Sequence, residues 1–201
     1  KSMFKKGLIE AMFDKTGIKP VWKFSLMPFV VGFYEEQRDR LDYELAHLFE
    51  HYWAEGGATG IMKYSPALHR VVPAQGTVKK EYILPYDEIV PIIERSEYFE
   101  MHDCICRKQQ ELLDKRKCDF PLDLCMAIIP VKQRPGPKSI TKQQALDALK
   151  RAELEGLVHT VSNVSEGVYY VCNCCGCCCG ILRGITEFGL ENSVAKANYL
   201  A

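Results

Sequence analysis

Six cysteines fall within eight residues, Cys172-Asn173-Cys174-Cys175-Gly176-Cys177-Cys178-Cys179, and this run constrains the chain more than any other feature. Adjacent cysteines make poor disulfide partners, because the bridge needs well-separated backbones with facing Cβ atoms. Ionised together, such thiols repel one another unless a cation neutralises them. Soft thiolates select zinc, copper(I) or iron–sulfur clusters. The other four of the ten cysteines, Cys104, Cys106, Cys118 and Cys125, form an earlier segment, and none precedes Cys104. A disulfide framework would instead spread its half-cystines through a small secreted chain. Metal ligation is the better reading.

The earlier segment supplies four thiolates, enough for one cubane cluster. Arg107, Lys108, Lys115, Arg116 and Lys117 would offset the negative charge of such a centre, and Pro121 would stiffen the loop between two ligands. The plainer alternative is that some of these residues are buried structural cysteines. In the later run, Gly176 and Gly180 permit the turns that wrap backbone around a cluster. Zinc is the competing metal, since Cys174–Cys177 and Cys175–Cys178 both have C-x-x-C spacing. Zinc prefers four ligands, however, and two such sites would leave two of the ten thiols spare. The expectation is therefore one or two iron–sulfur clusters, most simply 4Fe-4S, held by Cys104, Cys106, Cys118, Cys125, Cys172, Cys174, Cys175, Cys177, Cys178 and Cys179.

Around the cysteines the chain reads as ordinary globular protein. Of 201 residues, 47% are hydrophobic and the formal net charge is zero, so no bulk attraction to nucleic acid or anionic membrane is implied. The apolar stretch from Leu26 to Phe33 contains Pro28 and Gly32 and is too short to span a bilayer. With no signal-peptide pattern, a cytoplasmic location is expected. The sequence opens at Lys1 without Met, as in a trimmed or partial product.

Hydrophobic spacing predicts an amphipathic helix over Lys6–Lys15, carrying Leu8, Ile9, Met12 and Phe13 and ended by Gly17 and Pro20. A long helix is predicted over Glu35–Ala54, with Leu41, Leu45, Leu48, Phe49 and Tyr52 on its apolar face. Leu68–Val72 reads as a strand and Pro85–Ser96 as a short helix. Thr141 and Gln144 form a capping box opening a helix that buries Ala145, Leu146, Leu149 and Ala152 and stops at Gly156. Leu157–Val161 and Val168–Cys172 read as a hairpin. A helix followed by a hairpin is the second half of a winged-helix unit. The fold expected is thus α+β and mostly helical, with a helical region over residues 1–100 and a winged-helix-like, cysteine-rich region over 101–201. The two regions are expected as separate domains or one compact unit.

One motif is set aside. His47-Leu-Phe-Glu50-His51 matches the H-x-x-E-H zinc-peptidase string, but the two imidazoles lie on the flank of the predicted helix and Glu50 on the side away from its core. Trp22, Phe24, Phe33, Tyr34, Phe49 and Trp53 read as core. His102, two residues before Cys104, reads as a group standing behind a ligand.

The strings CICR (104–107), CDFPLDLC (118–125) and VCNCCGCCCGILR (171–183), together with LPYDEI and GLVHTVSN, resemble the N-terminal region of iron–sulfur proteins from anaerobic microbes. Those proteins carry a ferredoxin module further downstream. A weaker similarity is to the CCG domain of heterodisulfide reductases, matched by Cys174-Cys175-Gly176 and Cys179 in a single copy. The resemblance implies cluster binding and a part in electron transfer. A redox partner such as a ferredoxin module or an oxidoreductase is expected, and the chain reads as an electron carrier rather than an enzyme by itself. The readings left beside it are a winged-helix regulator using its cluster as a redox sensor, and a structural zinc protein.

Overall fold

The computed structural model describes residues 2–14, 16, 19–73, 89–164 and 166–195. The chain divides into two compact units, Lys1–Leu45 and Ala46–Ala201.

The first unit opens with a short helix, α1 (Ser2–Lys5), followed by an antiparallel hairpin of β1 (Ile9–Asp14) and β2 (Val21–Leu26). The helix expected over Lys6–Lys15 does not form. Gly7 takes the left-handed conformation at φ 62°, which stops α1 before Lys6 can extend it. The next six residues find partners across the hairpin instead: Phe13 opposes Trp22 with ring centroids 5.1 Å apart, and Lys23 meets Asp14 at 2.6 Å. Trp22 and Phe24, expected in the core, are exposed on β2. A helical turn follows, α2 (Tyr34–Glu36).

The predicted Glu35–Ala54 helix is broken, and its main piece is α3 (Tyr43–Tyr52). Its inward residues are Ala46 and Phe49, followed by Trp53, while Leu48 and Tyr52 stay exposed. After α4 (Ala58–Met62) come β3 (His69–Val72), α5 (Ile89–Glu94) and β4 (Tyr98–His102). The start of the helix predicted over Pro85–Ser96 lies outside the described residues. Then follow α6 (Ile105–Leu112), β5 (Cys125–Ile129), β6 (Ser139–Ile140), α7 (Lys142–Leu154), β7 (Val158–Ser162), β8 (Tyr170–Cys174), α8 (Gly180–Thr186) and β9 (Val194–Ala195).

Seven of these strands form one sheet in the order β6-β4-β5-β8-β7-β3-β9, antiparallel throughout except for the β3–β9 pair. The protein is therefore mixed α+β rather than mostly helical. The expected helix and hairpin are present as α7, β7 and β8, and the Thr141–Gln144 capping box closes as predicted. However, β7 and β8 are interior strands of the large sheet, not a free-standing wing.

Alternation along the strands sorts the side chains. Met126 and Ile128 of β5, Val171 of β8 and Val161 of β7 face α5 and α7, building a core with Ile92, Ile93, Phe99, Leu124, Ala145 and Leu149. Each such fully buried aliphatic side chain contributes about 1.5–3 kcal/mol. Cys125, Cys172 and Cys174 fall on the opposite face.

Candidate metal centre

The fold gathers the ten cysteines into two groups. The first is a quartet. The Sγ atoms of Cys118, Cys175, Cys177 and Cys178 lie within 4.8 Å of one another. The contacts from Cys118 to Cys175 and Cys178 are 3.8 and 3.7 Å, and Cys177 to Cys178 is 3.6 Å. Cys175 leaves the end of β8 on the core side, Cys177 and Cys178 follow in a tight turn, and Cys175 and Cys178 pack against the core itself. Cys118 arrives from the loop after α6. Arg116 shapes that loop by donating from Nε to the Cys118 carbonyl at 2.8 Å and from Nη2 to the Phe120 carbonyl at 2.5 Å. Cys118 and Cys177 are half-buried, and an open cleft lined by Glu111, Asp114, Arg116 and Asp119 reaches Cys118.

The second group is the other six, whose ionisations are linked in a ring: Cys104 with Cys106 and Cys125, Cys106 with Cys179, Cys179 with Cys174, Cys174 with Cys172, and Cys172 with Cys125. Cys104 caps the N-terminus of α6 and Cys106 lies in its first turn, while Cys179 caps α8. Cys172 and Cys174 are two apart on β8, so they share a face. Met126 pairs with Val171, and continuing that antiparallel register by one step sets Cys125 beside Cys172.

The four early cysteines, read in sequence as one set, are thus divided. Cys118 joins the quartet, while Cys104, Cys106 and Cys125 join the ring. The later run is divided too, at Cys174/Cys175 and again at Cys178/Cys179. Of the two C-x-x-C pairs, Cys175–Cys178 lies within the quartet and Cys174–Cys177 is split. Early and late segments nevertheless meet in both groups, as a shared neighbourhood requires.

Charge is rationed within each group. In the quartet, the Cys178 thiol donates to Cys175, and with help from Arg107 this holds Cys175 down to about 5 against its burial. Cys178 is correspondingly pushed up, and burial with the Cys118 and Cys175 sulfurs raises Cys177 to about 11. In the ring, hydrogen bonds from Cys106 and Cys125 hold Cys104 well down. Cys106 and Cys125 are pushed well up by the same bonds, and Cys174 by its contact with Cys172. One thiolate in a group thus suppresses its neighbours. Full ionisation of the remaining thiols requires a cation.

Arg107 stands between the groups. It is fully buried, donates from Nη1 to the Pro121 carbonyl at 2.7 Å and from Nη2 to the Asn173 carbonyl, and lies over the Phe120 ring. Burial disfavours its charge, but Cys104, Cys175 and Cys125 more than reverse that, raising its pKa. Of the other basic residues expected to offset cluster charge, Arg116 serves Cys118, while Lys115 turns to Glu50 at 3.6 Å.

Sequence reasoning missed two supports. The Asn173 side chain donates to the Leu124 carbonyl at 2.6 Å and meets His159 Nδ1 at 2.5 Å, locking β8 to the loop that delivers Cys125. Glu50 accepts from Arg183, Gln109 and Gln110, tying α3 to α6 and α8. The H-x-x-E-H string did single out Glu50, but expected it away from the core. The imidazoles of His47 and His51 are exposed, with centroids 4.5 Å apart. His102 bonds Glu100 at 3.2 Å and pairs with Cys125 across β4 and β5.

No family model, curated protein or solved structure matches this chain. Among the described residues, no helix is long and apolar enough to cross a membrane.

Proposed function

We propose that this chain is an iron–sulfur electron-transfer protein or redox subunit, passing electrons one at a time between partner proteins. The observation that carries the reading is the convergence of four Sγ atoms, from residues as far apart as Cys118 and Cys178, to within 4.8 Å. Free thiols gain little from such crowding, whereas a bound metal discharges their mutual repulsion. The half-buried Cys118 and Cys177 bring this centre to the surface, where a ferredoxin-like partner or an oxidoreductase can dock. The similarity to the N-terminal region of anaerobe iron–sulfur proteins agrees with it, and 4Fe-4S is the cluster that the resemblance favours.

The test is anaerobic purification with iron, zinc and acid-labile sulfide analysis, followed by a reductive titration monitored by EPR. Iron with sulfide and a reversibly reducible signal is the expected result. Stoichiometric zinc without sulfide overturns it.

One observation favours a second reading for the quartet. Four sulfurs bound tetrahedrally at about 2.3 Å from one ion stand about 3.8 Å apart; three of the quartet's contacts are 3.6–3.8 Å and all lie within 4.8 Å. A structural zinc there is the competing occupant. The regulator reading has less support. In α7, Lys142 is bonded to the Glu94 carbonyl at 2.6 Å and Arg151 to Asp123 at 2.8 Å, and the candidate wing is an interior part of the sheet.

A further inference from the structure

We propose that the β1–β2 hairpin is a lipid-binding face, which docks this protein peripherally on an anionic membrane surface. It goes beyond the redox reading and holds whichever metal the cysteines bind.

The register of the hairpin sorts its side chains by chemistry. Ile9 opposes Leu26, Ala11 opposes Phe24 and Phe13 opposes Trp22, and the two-residue period of a strand puts all six on one face. The other face carries Glu10, Asp14, Lys23 and Ser25, and there the Lys23–Asp14 ion pair at 2.6 Å neutralises charge. The apolar face is no core: Trp22 and Phe24 are each 60% exposed and Leu26 is 82% exposed. Met3 and Phe4 in the adjoining α1 are exposed as well. A two-stranded hairpin alone in water is only marginally stable, so a contiguous apolar face of this kind calls for a cover.

Charge selects the occupant. The formal net charge of zero conceals a segregation: residues 1–26 hold six lysines and two acids, a net of +4, while the other 175 residues hold 20 basic and 24 acidic side chains, a net of −4. Lys5 and Lys6 at the α1 end and Lys19 in the connection between the strands are exposed. The next acids, Glu35, Glu36, Asp39, Asp42 and Glu44, all come after the hairpin. Lysines flanking an apolar face that includes a tryptophan suit the headgroup region of an anionic bilayer. Indole rings settle at that depth, ammonium groups are drawn to the phosphates, and binding grows with both the apolar area and the charge. A protein partner fits less well. Six residues long and two strands wide, the face measures about 20 Å by 10 Å. That footprint is far below the ~800 Å² that each side of a stable protein interface buries.

The experiment uses the full chain, sedimented with vesicles of phosphatidylcholine alone or of phosphatidylcholine and phosphatidylglycerol in equal parts. Trp22 is a built-in probe, because the other tryptophan, Trp53, is already buried. Binding to the anionic vesicles is expected, weakened by salt and accompanied by a blue shift of Trp22 emission; the neutral vesicles should bind far less. Each lysine near an anionic surface is worth about fivefold in affinity, so Lys5→Gln, Lys6→Gln and Lys19→Gln together should weaken binding about 100-fold. Trp22→Ser with Phe24→Ser should weaken it by more than about tenfold. Wild type that stays in the supernatant overturns the proposal, as does binding that is equal on the two vesicle types or unmoved by either variant. A wild-type dimer that the Trp22 and Phe24 substitutions convert to monomer, in sedimentation equilibrium without vesicles, assigns the face to a second copy and overturns it too. Should the apolar variant not fold, the lysine variant and the neutral vesicles still decide.

Discussion

Glu50 and Arg183 form a bidentate ion pair, with Oε1 to Nη2 at 2.6 Å and Oε2 to Nη1 at 3.0 Å. Arg183 is 5% exposed and sits in α8, whose N-cap is the ring residue Cys179. Gln109 and Gln110, both 2.9 Å from Oε2, bring in α6, whose N-cap is Cys104. Although burial pushes the other way, Arg183, Gln110 and Lys115 hold the Glu50 carboxyl below its usual range. One carboxylate thus sets the spacing of two helices that each deliver ring sulfurs.

Replacing Glu50 by Ala leaves the Arg183 charge buried with only the half-exposed Glu187 as partner. Breaking a buried pair in this way costs about 3 kcal/mol, and Glu50→Gln, which keeps the shape and part of the hydrogen bonding, costs less. Urea denaturation of the metal-loaded proteins measures both. A Glu50→Ala variant as stable as wild type would show that the pair does not brace the helices.

The two glycines of the late run should respond in opposite ways. A Cβ on Gly180 would meet the Trp53 ring at 2.7 Å, whereas one on Gly176 has nothing within 4 Å. Overpacking against a rigid indole costs about 1–3 kcal/mol, so Gly180→Ala is expected to lose that much stability and to displace Cys179. Gly176→Ala should stay within about 0.5 kcal/mol of wild type. Thermal unfolding of the two variants side by side is the check. The need at Gly180 is for close helix packing rather than for a turn.

Arg107→Met removes the positive charge shared by the two thiol groups and leaves the Pro121 and Asn173 carbonyls without their donor. Each lost bond from a charged group is worth about 1.5–3 kcal/mol, and destabilisation of that order is expected. Reduction adds negative charge, so the midpoint potential of the bound centre should fall. Arg107→Lys keeps the charge and should recover part of the potential but not the paired geometry. Potentiometric titration separates the variants; an unchanged potential in Arg107→Met would remove Arg107 from the electrostatics of the site.

His69 gives the fold an acid limit. Burial in β3 against the Tyr170 ring, 5.6 Å away, lowers its pKa from 6.5 to about 4. The unfolded chain therefore takes up the proton first as pH falls. The stability that His69 contributes is complete above pH 6.5 and drains away between 6.5 and about 4, by up to about 3 kcal/mol. Denaturation midpoints of wild type and His69→Gln across that range should diverge in slope, the variant being flatter. Parallel slopes would assign the acid sensitivity elsewhere.

Local chemistry was legible in the sequence. Thr141 Oγ1 accepts from the Gln144 amide at 3.2 Å and Gln144 Oε1 from the Thr141 amide at 2.8 Å, so both partners of the cap lie within four residues. The same holds for α7, for the β7–β8 hairpin and for a cluster of thiols that could hold a metal. The Lys6–Lys15 helix failed because its spacing was ambiguous, and the β1–β2 pairing together with the left-handed Gly7 decided it.

What the sequence by itself determined is that ten thiols, beginning at Cys104, are crowded into two segments poorly suited to pairing as disulfides. What only the tertiary structure decided is how they divide. The strand period places Cys172 and Cys174 on one face of β8 and carries Cys175 to the other. The register of β5 then brings Cys125 to Cys172, and the helix starts of α6 and α8 close the ring. Spacing along the chain says which thiols are near in sequence. Which sulfurs could share a metal depends on strand register and helix docking, fixed by contacts as distant as Asn173 with Leu124 and Glu50 with Arg183.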